Sequence, residues 1–396
     1  MPKTLLAALC FFVAPLVAEG ADYFELRDGL KNSRRIFEQT KKGRVVFLGG
    51  SITAMRGWRD HVGRDLQRRF PKTQFDFINA GISSTGSTPG AFRLARDVFK
   101  NGPVDLLFEE ASVNDLYNGR GDKEQVRAME GIVRHARRLN PKIDVVIMHF
   151  ADPRKMKEYN QGKTPQVVQN HEKVAKHYKV PSINLAWEVT ERIKRGEFTW
   201  KGDFRDLHPS PFGQKLYSST IARCFDAAWP EKTVNEKATA HPLPEKLDKH
   251  CYDSGKLLPP EKAKALKGFK LNAKWKNTVG GGTRRGFVNV PMLVGNKPGD
   301  SFELDFKGSG VGLFVAAGPD AGMIEYRIDD GAWTEQDLAT RWSTRLHIPW
   351  LYVLAAELKP DERHKLTVRI SEKKNNKSKG HACRVVHLAV NGDEVE

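Results

Sequence analysis

A serine, an asparagine and a histidine flanked by carboxylates stand where this chain could run acyl transfer. Arg44-Val45-Val46-Phe47-Leu48 is rich in β-branched and large apolar residues and runs into Gly49-Gly50-Ser51-Ile52-Thr53, after which the apolar period becomes helical. Such a strand, turn and helix set a hydroxyl at the rim of an α/β sheet, beside helix N–H groups that favour an oxyanion. Gly-Gly-Ser alone would equally suit a phosphate-binding turn or a tight loop. Asp206-Leu207-His208-Pro209 supplies the carboxylate and imidazole that serine activation needs. Gly81, in Asn79-Ala80-Gly81-Ile82-Ser83, lets backbone N–H groups approach a substrate with no Cβ in the way. In Glu109-Glu110-Ala111-Ser112-Val113-Asn114-Asp115, the Asn114 amide can donate to an oxyanion.

The elements that must position these groups are legible as alternating periods. Apolar runs at 45–48, 75–78, 104–108, 145–148 and 182–185 read as buried strands. Helical periods fall at 56–70, 91–100, 123–139, 166–178 and 211–229. Strand and helix in alternation predict βαβ units and a parallel sheet covered on both faces, with the site at the carboxyl ends of the strands.

Four such segments, in this order, resemble the blocks of the SGNH (GDSL-type) hydrolase family, from about Lys42 to Ala228. The resemblance implies an α/β fold, a three-layer α/β/α flavodoxin-like sandwich that needs no metal or cofactor. It makes Ser51 the nucleophile and His208 the general base. The oxyanion donors would be the backbone N–H groups of Ser51 and Gly81 and the side chain of Asn114. The family usually places its Asp three residues before the His, where this chain has Arg205. Asp206 is the first candidate to orient His208, because residues two apart in an extended segment point the same way. Asp203 is the fallback, and a Ser-His dyad is the remaining reading. Ser112 stands where the family usually has a glycine, and no G-x-S-x-G pattern surrounds Ser51. Of other polar or aromatic residues near the rim, Asp115 reads as a cap, Trp58 as core and His149 as structural, with Arg56 nearby; none enters the catalytic set.

With 396 residues, two domains are expected. Residues 1–21 read as a signal peptide: Lys3, an apolar run from Leu5 to Val17 too short to span a bilayer, then small residues. Leu9 before Cys10 argues against a lipid anchor. The expectation is an exported protein, periplasmic or extracellular, with no membrane partner after processing. Cys224, Cys251 and Cys383 remain, an odd number without metal-like spacing; one disulfide of undetermined pairing is open. The net charge of +17 favours polyanions. Scattered Lys and Arg with no nucleic-acid motif speak against nucleic acid, and an acidic or sulfated polysaccharide is the better candidate, beside simple solubility.

The hydrolase domain should occupy 22–229, a Pro- and charge-rich linker 230–264, and a β-sandwich accessory domain of roughly 7–9 strands 265–396. Strands are expected at 301–306, 311–315, 323–328, 365–370 and 384–390, with turns at Asp329-Asp330-Gly331 and Asn391-Gly392. Trp333, Trp342, Trp350 and Tyr352 suit either sugar stacking or, for most of them, the sandwich core. The Gly-Gly-Ser-Ile-Thr form, the leader and the added sandwich resemble secreted carbohydrate esterases of the family, which implies an acetylated glycan substrate. A catalytically silent glycan-binding protein is the reading from a different class; a lipase or acyltransferase is the reading from within the family.

Overall fold

The computed structural model describes residues 22–229 and 236–395; the leader expected over 1–21, with Cys10, and the first part of the expected linker lie outside them. Strands β1 (Phe24–Glu25), β2 (Lys42–Gly49), β3 (Gln74–Gly81), β4 (Leu106–Glu110), β5 (Asp144–Met148) and β6 (Ser182–Ile183) form one sheet in the order β1-β6-β5-β4-β2-β3. All neighbours are parallel except β1, which runs antiparallel to β6. From β2 to β6 this is the flavodoxin order, with its switch point at β2.

The strand residues divide by parity between two cores. Val46 and Leu48 join Leu107, Val145 and Ile147 under the helix at Ser87–Asp97, while Val45 and Phe47 join Leu106, Phe108, Val146 and Met148 on the opposite face. This alternation is why strands covered on both faces read as unbroken apolar runs. The helices are α1 (Lys31–Thr40), α2 (Ser51–Ala54), α3 (Trp58–Arg69), α4 (Ser87–Asp97), α5 (Ser112–Tyr117), α6 (Asp122–Leu139), α7 (Pro153–Asn160), α8 (Gln166–His177), α9 (Leu185–Lys194) and α10 (Pro211–Ala228). Faces of α4, α6 and α8 fill the first core; those of α1, α3, α9 and α10 fill the second. Trp58, wholly buried against Phe47, Phe108 and Phe150, centres the second.

The second domain is a mainly antiparallel β structure of β7 (Gly255–Leu258), β8 (Lys264–Lys267), β9 (Lys270–Asn272), β10 (Gly282–Thr283), β11 (Met292–Gly295), β12 (Ser301–Ala317), β13 (Met323–Ile328), β14 (Thr334–Asp337), β15 (Leu346–Ala355), β16 (Arg363–Ile370) and β17 (Cys383–Glu394). The two strands expected at 301–306 and 311–315 are one 17-residue strand, β12. Its first part pairs with β16 and its last with β15, and β17 runs along its middle. The changeover falls at Gly308 and Gly310, where the register shifts. Asn391-Gly392, expected as a turn, lies inside β17 instead. Gly308 (φ 153°) faces Gly392 (φ 153°) there, and a Cβ on Gly392 would come 2.1 Å from the Lys307 carbonyl oxygen. Two glycines let the backbones cross where a turn pair would otherwise be read.

The described residues of the Pro-rich segment are packed. The backbone N–H groups of Leu247 and Asp248 donate to Glu130 (2.6 and 2.9 Å), Tyr252 packs on Phe92, and β7 pairs with β17. The two domains also share a core in which Phe314, Leu351, Val386 and Ala389 join Ala91 and Phe92. Trp333 and Trp342, expected mostly as core, are 37% and 43% exposed; Trp350 and Tyr352 pack partly against the sandwich. Cys224, Cys251 and Cys383 are buried free thiols, each pushed up to about 12 by burial.

Candidate active site

The expected serine and histidine meet. Ser51 opens α2 directly after β2 and the Gly49-Gly50 turn, and its Oγ lies 2.8 Å from His208 Nε2, so the hydroxyl can donate to the imidazole. Burial holds the His208 pKa below the ordinary 6.5; Asp206 opposes this, and Arg205 and Arg284 add to it. A neutral imidazole near pH 7 is the form a general base needs.

Asn114, in α5 after β4, comes to the same place. A Cβ built on Gly50 would fall 1.9 Å from Asn114 Oδ1, so only glycine lets the carboxamide sit against the nucleophile turn. The floor beneath is pinned by buried charge. Glu110 Oε1 accepts from Ser112 Oγ (2.7 Å) and from the N–H groups of Val113 (3.1 Å) and Phe150 (3.4 Å). Burial raises the Glu110 pKa and Lys155 opposes the rise. Ser112, where the family usually has glycine, thus supplies a donor that fixes the first turn of α5. Asp115 accepts from Ser87 N–H (2.9 Å) and Oγ (2.6 Å) and meets His171 Nε2 at 3.0 Å, tying α5 to α4 and α8. Arg93, wholly buried, reaches the Gly49 carbonyl (3.2 Å) and Asp97 (3.1 Å), holding the residue two before the nucleophile. These groups escape sequence reasoning because a buried charge is spelled like a solvated one.

Gly81 is placed differently from the other expected donors. Its N–H already donates to Asn79 Oδ1 (3.0 Å), and a Cβ there would lie 2.4 Å from the Ala54 nitrogen, so its lack of a side chain serves packing against α2. Three residues on, Ser84 has φ 73°, and its N–H has no acceptor among the described residues. Its carbonyl receives Asn118 Nδ2 (3.0 Å) and its Oγ receives Arg284 of the second domain (3.1 Å).

The third partner of the base is loose. Asp206 Oδ1 accepts the His208 backbone N–H at 2.6 Å but stands 3.8 Å from Nδ1, outside hydrogen-bond range. Asp203 turns to Thr199, accepting its N–H (2.7 Å) and Oγ1 (2.9 Å). Arg205, where the family expects Asp, has φ 88° and donates Nε to the His208 carbonyl at 3.0 Å. His149, wholly buried, meets Glu172 at 2.8 Å, and Trp58 is core, as expected for both. A cavity of about 380 Å³ lies at the amino ends of β2 and β3, at the opposite edge of the sheet from this chemistry.

The GDSL-like lipase/acylhydrolase family model matches residues 47–216, the stretch that carries Ser51, Asn114 and His208. No curated protein sequence matches the chain. A two-domain esterase (CEX) active on acetylated mannans, co-crystallized with mannopentaose, superposes with a TM-score of 0.70 at 22% identity, over 93% of this chain and 96% of that one. A second structure of that esterase gives the same figures. An acetyl xylan esterase, AlAXEase, matches 45% of this chain and 97% of its own at 21% identity, with a TM-score of 0.39. At such identity the full-length likeness establishes the fold: a parallel α/β sheet joined to an antiparallel β domain. Residues 47–216 match the GDSL-like lipase/acylhydrolase (SGNH) family model, and they lie within the α/β half of this two-domain fold.

Proposed function

We propose that this ester hydrolase is an exported carbohydrate esterase that removes acetyl groups from a polysaccharide or oligosaccharide through an acyl-enzyme on Ser51. The observation that carries the reading is the 2.8 Å contact between Ser51 Oγ and His208 Nε2, beside the Asn114 carboxamide. Ser51 Oγ attacks the ester carbonyl while His208 takes its proton. The tetrahedral oxyanion faces the Ser51 N–H and the Asn114 amide, with a third N–H from the 81–84 turn. Ser84 suits that third place better than Gly81, whose N–H is occupied by Asn79. Collapse expels the sugar hydroxyl, which leaves with the proton from His208. Water then attacks the acyl carbonyl, His208 again accepting a proton, and acetate departs as Ser51 regains its hydrogen.

The substrate class is supported by the esterase with the same two-domain fold, active on acetylated mannans, and export by the leader-like residues 1–21. The test is acetate release from acetylated mannan, acetylated xylan and acetylated pectin by the wild type and by Ser51→Ala. Release by the wild type, lost on substitution, is expected. Equal release by both proteins refutes the nucleophile, and hydrolysis of p-nitrophenyl acetate with no release from any glycan refutes the substrate class.

A further inference from the structure

We propose that the glycan substrate is anionic, its carboxylate or sulfate groups received by Arg284, Arg341 and Arg154 around the mouth of the Ser51 site. The inference rests on the esterase reading and specifies its substrate. Arg284 follows β10 in the second domain and places Nη2 3.1 Å from Ser84 Oγ, on the turn that flanks the nucleophile. Its Nε is buried with no acceptor. Asn118 also holds Ser84, and next to it Tyr117 ends α5, one turn beyond Asn114. Over the Tyr117 ring stand Arg154 at 4.7 Å and Arg341 at 5.9 Å, and Arg341 lies 4.6 Å over exposed Trp342. The three guanidinium groups come from α7 and from two loops of the second domain, and contacts through Ser84, Asn118 and Tyr117 link them to the turn beside the nucleophile.

None of the three forms an ion pair among the described residues. Elsewhere, Arg127 at the domain junction is answered by Asp248 (2.8 Å) and Glu357 (2.6 Å), and Arg384 within the second domain by Asp320 (2.6 Å). Two carboxylates of neighbouring segments have partners of their own. Asp152 pairs with buried Lys155 and caps α7, and Asp206 accepts the His208 N–H. Arg341 donates to the Tyr117 carbonyl and Arg284 to Ser84 Oγ, and with no acidic partner the remaining guanidinium N–H groups suit carboxylate or sulfate oxygens, while the flanking Trp342 offers an aromatic face to a sugar ring. A protein of net charge +17 would also draw such a polymer in.

Isothermal titration of the full chain carrying Ser51→Ala reads binding apart from catalysis, so a failed esterase reading would leave this result standing. Polygalacturonate supplies carboxylates, carrageenan sulfates, mannan a neutral control and a DNA oligonucleotide the other polyanion. We expect one acidic glycan to bind at least about tenfold tighter than mannan, as one charge-assisted contact supplies. The Arg154→Gln/Arg284→Gln/Arg341→Gln variant should lose that preference about tenfold, and the corresponding lysine variant, which keeps the charge but not the planar fork, should lose less of it than the glutamine variant. Should the triple variant fail to fold, the exposed single changes Arg154→Gln and Arg341→Gln should each lower the preference about threefold. Equal binding of mannan, a preference that survives the glutamines, or DNA bound as tightly as the glycans would each overturn the proposal.

Discussion

The two halves of the proposed catalytic pair are held in different ways. Ser51 and Asn114 stand on a floor fixed by buried groups: Glu110 on the first turn of α5, Arg93 on the Gly49 carbonyl, and Asp115 between α4 and α8. His208 hangs from the segment 199–210, where Asp203 and Asp206 are exposed and Asp206 stops 3.8 Å short of Nδ1. Rigidity is thus concentrated around Ser51 and Asn114, the proposed nucleophile and oxyanion donor. The base is oriented through its backbone and its contact with Ser51.

Substitutions can break that contrast, beginning with the largest effect. His208→Ala should lower kcat/KM on p-nitrophenyl acetate on the order of 10⁴-fold, since no other base stands beside Ser51 Oγ among the described residues. Asn114→Ala should cost about 10²–10³-fold in kcat with a smaller change in KM if, as proposed, its amide acts on the oxyanion. Glu110→Ala leaves Ser112 Oγ and two buried N–H groups unpaired. A loss of about 2–4 kcal/mol in urea unfolding is expected, and an unchanged midpoint would remove Glu110 from the floor.

The exposed side should respond far less. Asp206→Asn should lower kcat/KM by under about tenfold and Asp203→Asn by under about twofold, against about 10⁴ where a buried Asp holds the tautomer. A 10⁴-fold loss in Asp206→Asn would restore a full triad. The pH profile sharpens the same point. The base works when neutral, so kcat/KM rises as pH passes up through the His208 pKa, and its acid limb should lie below 6.5. Asp206 raises that pKa, so Asp206→Asn should move the limb to lower pH. Arg205→Gln should move it to higher pH, since Arg205 depresses the imidazole.

Much of this arrangement could be read from residue order. The five apolar runs became β2 to β6; the interior strands β2, β4 and β5 are buried on both faces and have no polar face to hide them, whereas β3, expected as buried, is a largely exposed edge strand, and Ser51, Asn114 and His208 fell at the ends of elements so defined. Three kinds of feature did not show. Buried charges such as Arg93 and Glu110 are spelled like surface residues, and only packing distinguishes them. Gly308 and Gly392 carry a turn composition but serve a strand crossing. Arg284 lies 200 residues from Ser84 in sequence, and local pattern says nothing about such a contact.

The most direct test of the account is whether an acetyl group passes through Ser51. Wild-type protein mixed with p-nitrophenyl acetate, acid-quenched within a turnover and digested should yield the peptide containing Ser51 with one added acetyl group. That adduct should be absent from Ser51→Ala and should disappear from the wild type as substrate is exhausted. Turnover with no acetylated Ser51, or with the acetyl group on another residue in a Ser51→Ala protein that retains its rate, would contradict the account.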